Sequence, residues 1–177
     1  MLKIKSKEFE MKDLCDSCEN ISCCTGFDAP FLFKNDIQKL EKIGKVRKDF
    51  IEEVKVSDLL VKSLKKKKKS TNCIFWDEDT KNCSVYDNRP FDCKMFPFDI
   101  MKIDDEYRWI IFTCNTKSDW KWSEEYLDKL EKDPSFVEII KNIDIFHHTL
   151  ETEFSKDHPL SYVVLRKIKK DLLPIKN

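Results

Sequence analysis

Residues 73–97 read CIFWDEDTKNCSVYDNRPFDCKMFP, and the order of residue types in this stretch organises the rest of the chain. Cys73-Ile74-Phe75-Trp76 and Cys83-Ser84-Val85-Tyr86 are short β-favouring segments around the polar run Asp77-Glu78-Asp79-Thr80-Lys81-Asn82, a pattern that predicts a hairpin. Cys73 and Cys83 do not face each other across such a turn in simple register, so each is expected to meet a common partner rather than the other. Arg89-Pro90 breaks the second strand, because the residue before a proline is held in extended backbone. Pro90 then suits the opening of a one- or two-turn helix that carries Cys93 and stops at Pro97.

Downstream, Phe98–Ile103 and Tyr107–Phe112 flank Asp104-Asp105-Glu106, a second hairpin signal that leads to Cys114. Ser123 with Glu124 and Glu125 begins a helix, and Asp133-Pro134 restarts one. Phe136, Ile139, Ile140, Ile143, Phe146 and Leu150 keep helical spacing. Upstream, Leu2, Ile4, Phe9 and Met11 suggest an extended lead-in over residues 1–12, and Pro30-Phe31-Leu32-Phe33 a short strand. Asn35 or Asp36 then caps a helix with Ile37, Leu40 and Ile43 on one face, ending at Gly44. Residues 45–64 permit helix or strand. Lys65 to Lys69, five lysines in a row, read as a solvated loop or hairpin tip, with an anion or nucleic-acid contact as the minority reading.

The expected fold class is α+β. It consists of a small cysteine-rich domain over residues 1–120, with short β-hairpins and irregular metal-binding loops. A helical C-terminal third, residues 121–177, packs on it to make a single compact unit.

The chain of 177 residues holds eight cysteines, and it is long enough to bury a core without cross-links. Cys15, Cys18, Cys23 and Cys24 form a Cys-x2-Cys-x4-Cys-Cys run closed by Thr25-Gly26; Cys73, Cys83, Cys93 and Cys114 follow. Cys-x2-Cys lets two thiolates reach one metal while backbone N–H groups point at the sulfurs. The side chains of adjacent residues in extended backbone point to opposite sides, so Cys23 and Cys24 suit two neighbouring sites better than one tetrahedral ion. Eight thiols then read as two four-cysteine sites, or as one cluster beside a zinc or a disulfide. Phe75, Trp76, Tyr86, Phe91, Phe96 and Phe98 serve as core packing and, beside a cluster, would exclude water. His147, His148 and His158 lie away from the cysteines and are not expected as ligands.

Lys plus Arg equals Asp plus Glu at 33 each, so no global field draws nucleic acid or an anionic membrane. No apolar run reaches the ~20 residues that span a bilayer, and the first eight residues lack the apolar core of an export signal. A soluble cytoplasmic protein is expected, without membrane or nucleic-acid partners. Two glycines among many Lys, Glu and Ile match the composition of proteins from hot environments, where intracellular disulfides occur. Disulfides, or scattered structural thiols, therefore stand as alternatives to metal binding. No Ser/His/Asp order, phosphate loop or calcium-loop spacing stands out, and enzyme status stays open.

Cys15-x2-Cys18-x4-Cys23-Cys24, followed by Cys73-x9-Cys83-x2-Tyr86-x2-Arg89-Pro90-x2-Cys93-x2-Phe96-Pro97, resembles the cysteine-cluster family of zinc- or iron-chelating domains, also called YkgJ-like. The resemblance covers about residues 15–114. A later cysteine matching Cys114 is common in that family, usually followed by proline; here Asn115 follows. The resemblance implies a cysteine-ligated metal, zinc or an iron–sulfur centre; the leading expectation is an iron–sulfur cluster of the 4Fe-4S type, or zinc, with a redox or other protein as partner. Flagellin lysine methylases look like relatives, which raises a cluster-dependent protein-modifying enzyme as one alternative function. A zinc-stabilised interaction module is another. No glycine-rich strand-to-helix motif for S-adenosylmethionine is present. Tyr86 and Arg89 are the candidate cofactor-binding residues outside the cysteines: the Arg89 guanidinium would donate to cluster sulfurs or clamp a substrate carboxylate or phosphate, with a salt bridge to Asp87 or Asp92 as the structural counterpart.

Overall fold

The computed structural model describes residues 29–56, 58–113, 120–146, 148–149 and 161–173. The extended lead-in expected over residues 1–12 lies outside them. The described chain begins as an extended segment whose Phe31 bridges Ser63. Helix α1 (Lys34–Lys42) follows, with Ile37 and Leu40 buried. Phe33 is the N-cap residue, and Asp36, in the first turn, accepts the Phe33 N–H at 3.2 Å, so it caps from inside the helix rather than ahead of it. The helix closes with the Lys45 N–H on the Leu40 carbonyl and the Gly44 N–H on that of Glu41. This closure needs φ +81° at Gly44, a conformation that costs glycine nothing.

The ambiguous stretch 45–64 resolves into one helical turn, α2 (Arg47–Phe50), and an antiparallel hairpin of β1 (Ile51–Val56) and β2 (Leu59–Leu64). Phe50 and Leu64, at the base of the hairpin, are its most deeply buried apolar residues. The lysine run forms the next reversal: Lys66 bridges Cys73, Lys67 donates to the Asn72 carbonyl, and Lys68 and Lys69 occupy the exposed tip.

The hairpin expected within residues 73–86 is β3 (Trp76–Asp77) and β4 (Asn82–Cys83), with Trp76 opposite Cys83. Asp77 folds its turn by accepting the N–H groups of Asp79 and Thr80 at 3.0 and 2.8 Å. After a 3-10 turn at Tyr86–Asn88, Pro90 stands at the N-cap of α3 (Phe91–Met95).

β5 (Phe98–Ile103) and β6 (Glu106–Thr113) pair through a two-residue turn, Asp104 and Asp105, both at positive φ as a twisted hairpin requires. Helices α4 (Ser123–Glu131), α5 (Pro134–Lys141) and α6 (Ile143–Phe146) follow, with Asp133 capping α5 through the Ser135 N–H. The chain then adds β7 (His148–Thr149) and β8 (Ser161–Lys167), completing a four-stranded sheet in the order β7-β5-β6-β8. Mixed helix and strand make the fold α+β. The last third is therefore not helical throughout: Tyr162-Val163-Val164-Leu165 is β-favouring and covers the edge of β6. Leu150 lies outside the described residues. No helix among the described residues is long and apolar enough to cross a membrane.

Two apolar clusters result. The larger joins Phe98, Trp109 and Ile111 of the sheet to Leu127, Phe136 and Ile139 of α4 and α5. The smaller lies on the cysteine side and contains Leu40, Phe50, Leu64, Cys73, Phe75 and Trp76.

Two polar ties lock these parts together. Asp36, wholly buried, also accepts the Phe91 N–H at 3.1 Å and the Ser135 hydroxyl at 3.4 Å, joining α1 to the start of α3 and to α5. Glu131, with its side chain 2 % exposed, accepts the Trp109 indole N–H at 2.9 Å and pairs with Arg166 (3.0 Å) and Lys169 (3.2 Å). Arg166 also meets Glu124 and Asp128, so one face of α4 holds β8.

Burial pushes the Asp36 carboxyl up to about 6 from its ordinary 3.8, against the lowering effect of the Phe33 and Phe91 N–H donors. The folded state then holds this proton more tightly than the unfolded chain, so the group's stabilising contribution is full below pH ~4 and lost as pH rises to ~6, on the order of 3 kcal/mol. Wild type should accordingly gain on Asp36→Asn by up to that amount between pH 7 and pH 4 in urea unfolding; a gap independent of pH would contradict it. Arg166→Ala should cost about 2–4 kcal/mol by the same measurement, since it strips the buried Glu131 of one of its two cations.

Candidate metal centre

Each described cysteine sits where a local turn fixes its backbone. Cys73 ends the lysine hairpin and opens a tight turn: its carbonyl accepts the Trp76 N–H at 3.0 Å, and its Sγ accepts the Phe75 N–H at 3.5 Å. An N–H aimed at sulfur favours the thiolate form that ligates metals. Cys83 closes β4 opposite Trp76, and Cys93 lies mid-helix on α3. All three belong to the smaller apolar cluster, Cys73 buried within it and Cys83 and Cys93 half-buried against it. The sequence order hairpin, Arg-Pro break, short helix thus brings to one cluster three thiols spread over twenty residues.

The segments that lead to the remaining cysteines are attached beside these three. The Ser63 hydroxyl donates to the Ala29 carbonyl at 3.0 Å, and the Leu64 N–H donates to that of Pro30 at 2.9 Å. Asp92, next to Cys93, accepts the Phe31 N–H at 2.8 Å. At the far side the Phe112 N–H donates to the Pro97 carbonyl at 2.9 Å, bringing the end of β6 to the residues just after the Cys93 helix. Cys15, Cys18, Cys23, Cys24 and Cys114 themselves lie outside the described residues, as do Thr25, Gly26 and Asn115. Among the described residues no group of three or more His, Cys, Asp or Glu side chains is placed to hold a metal ion.

Arg89 has the extended backbone expected before proline, φ −57° and ψ 147°. Its guanidinium lies 4.1 Å from the centre of the Tyr86 ring, a cation–π stack across the 3-10 turn. The flat cation is thereby held in one orientation between Cys83 and Cys93 in the sequence. Asp92 is engaged by the Phe31 N–H.

The aromatic residues divide between the two cores. Phe75 and Trp76 are buried on the cysteine side, Phe91 and Phe98 in the larger core. Of the histidines, His148 is in β7, paired with Met101, and His147 and His158 are outside the described residues. Sequence reasoning named Asp36 as a candidate helix cap but missed that it also accepts from Phe91 and Ser135 and so positions the Cys93 helix. Its signal is only local: an acidic residue at the third helical position after an apolar N-cap.

Three thiols at the edge of an aromatic cluster, one of them already accepting a backbone N–H, are soft donors suited to zinc or to iron–sulfur rather than to calcium or magnesium. The thiol chemistry of these residues, though not yet a closed site among the described residues, suits the group that the sequence pattern implies. No solved structure matches the fold. A family model does match, over residues 14–125, which include all eight cysteines and more than half of the chain. The chain therefore belongs to the CxxCxxCC family, "Putative zinc- or iron-chelating domain".

Proposed function

We propose that this protein binds metal through its cysteine thiolates. In this reading Cys15, Cys18, Cys23 and Cys24 join Cys73, Cys83, Cys93 and Cys114 in one or two iron–sulfur centres of the 4Fe-4S type. The observation that carries it is the Asp92 carboxylate on the Phe31 N–H. That bond ties the chain seven residues after Cys24 to the residue adjoining Cys93. Seven residues reach at most ~25 Å, so the tie supports a reading in which Cys24, and through it the run that begins at Cys15, joins the distal cysteines.

An iron–sulfur centre would supply one-electron chemistry. The chain's own contribution is to bury Cys73 in a cluster that includes Phe50, Phe75 and Trp76 and to aim the Phe75 N–H at its sulfur. Such surroundings lower the local dielectric and set a potential. Arg89, held on Tyr86, would offset negative charge built up by several thiolates, which is its proposed role at the cofactor. A redox protein as partner follows from the same reading.

Protein prepared without oxygen should be brown, with charge-transfer absorption and acid-labile sulfide in proportion to iron. Cys73→Ser and Cys93→Ser should each lower bound metal sharply. A colourless protein with stoichiometric zinc would retain the thiolate site and remove the redox role. Protein that holds no metal while its thiols stay reactive would sink the proposal. Asp92→Ala, which unties Phe31, should weaken metal retention about 10–100-fold in a chelator competition, the size typical for residues that orient ligands.

A further inference from the structure

We propose that the outer edge of β1 pairs with the same edge of a second copy of this chain, so that two hairpins form one antiparallel sheet about a twofold axis at Val54. Among the described residues β1 pairs with β2 alone, and it is regular, without proline or a shift of register. The Lys65 N–H donates to the Phe50 carbonyl at 2.8 Å, which turns the backbone groups of residue 50 toward β2. By the two-residue repeat of an antiparallel ladder, Glu52, Val54 and Val56 also face β2, while the N–H and C=O groups of Ile51, Glu53 and Lys55 face outward. No backbone group among the described residues hydrogen-bonds to them.

The other edge of the hairpin is treated differently. Leu32 donates its N–H to the Lys62 carbonyl and Leu64 donates to that of Pro30, so residues 30–32 cover the base of β2. Toward the tip the hairpin is two-stranded, an arrangement that is marginal by itself in water. A strand added to β1 would satisfy the outward groups and give the hairpin the further strands that it lacks.

Charge and pattern select a second copy as the occupant. A twofold pairing that matches outward N–H to outward C=O must centre on a residue of β1. Centred on Glu52, Glu53 or Lys55, it sets that charged side chain directly against its own copy, which is unfavourable. Centred on Val54, it sets Glu53 against the partner's Lys55 and Lys55 against the partner's Glu53, each pair exchanging both of its backbone hydrogen bonds. Centred at either end, it pairs less of the strand. Glu53 and Lys55 are exposed, and Lys55 meets Asp58 at 3.8 Å only as one solvated side chain beside another, a contact weak enough to exchange. The other face of the hairpin is apolar: Val54 lies opposite Val61, and Val56 opposite Leu59, which is 44 % exposed. The axis at Val54 would bring the two Val54 side chains together and extend the Val61–Val54 row across both copies. The proposal does not depend on the metal.

The test is sedimentation velocity of the full chain at low salt over about 1–200 µM, a range that brackets a small reversible interface. A monomer–dimer equilibrium is expected. Glu53→Lys alone, or Lys55→Glu alone, should weaken it about tenfold, because each sets like charges against each other on both sides of the axis. Both positions are exposed, so neither reversal should unfold the chain. An equimolar mixture of the two single variants should regain the dimer at near wild-type strength, since the two chains then meet with opposite charges at both pairs. Protein that stays monomeric at the highest concentration, a dimer indifferent to the single reversals, or a mixture no more associated than its components would each overturn the proposal.

Discussion

The arrangement of the cysteine-bearing segments depends on one buried carboxylate. Asp36 accepts hydrogen bonds from the Phe33 N–H, the Phe91 N–H and the Ser135 hydroxyl, and these donors come from three elements far apart in sequence. A carboxylate removed from water is costly unless its lone pairs are filled. Each donor is therefore held in place by the need to fill them. Phe91 is the first residue of the helix that bears Cys93, so the cost of burying this acid is converted into the position of a candidate ligand.

Around that point the molecule separates tasks between its two clusters. The larger core, with Trp109 stacked on Phe136 at 5.5 Å, is an ordinary sheet-and-helix core closed by the Glu131–Arg166 network. The smaller is thin and aromatic, built from short hairpins that would be marginal alone. Thiolates bound to a metal there would add cross-links where apolar burial is least, a logic in which metal binding and folding are one event.

The residues that could be read in advance were those whose backbone geometry is dictated locally. Arg89-Pro90 forces an extended-to-helical transition and Asp133-Pro134 starts α5, both where the sequence puts them, and the hairpin turn falls within the expected Asp104-Asp105-Glu106, with Glu106 already in β6. The ambiguous stretch 45–64 was decided by tertiary contacts, since Phe50 and Leu64 acquire meaning only when buried together. Strand β8 escaped for a related reason: its place depends on the open edge of β6 and on Arg166 meeting α4 across nearly forty residues. Of the candidate site, the Cys93 helix was legible. The bonds from Phe91 and Ser135 to Asp36 and the Phe31–Asp92 tie were not, because a side chain that accepts from a distant donor leaves no periodic trace.

That tie also bears on how the protein is made. Synthesis proceeds from the N-terminus at about 5–20 residues per second, and the acceptor for Phe31 is sixty-one residues further along. The Cys-x2-Cys-x4-Cys-Cys run thus leaves the ribosome roughly 3–12 seconds before the residues that anchor it exist. A centre that drew on both halves would be loaded late, after Cys93 has emerged.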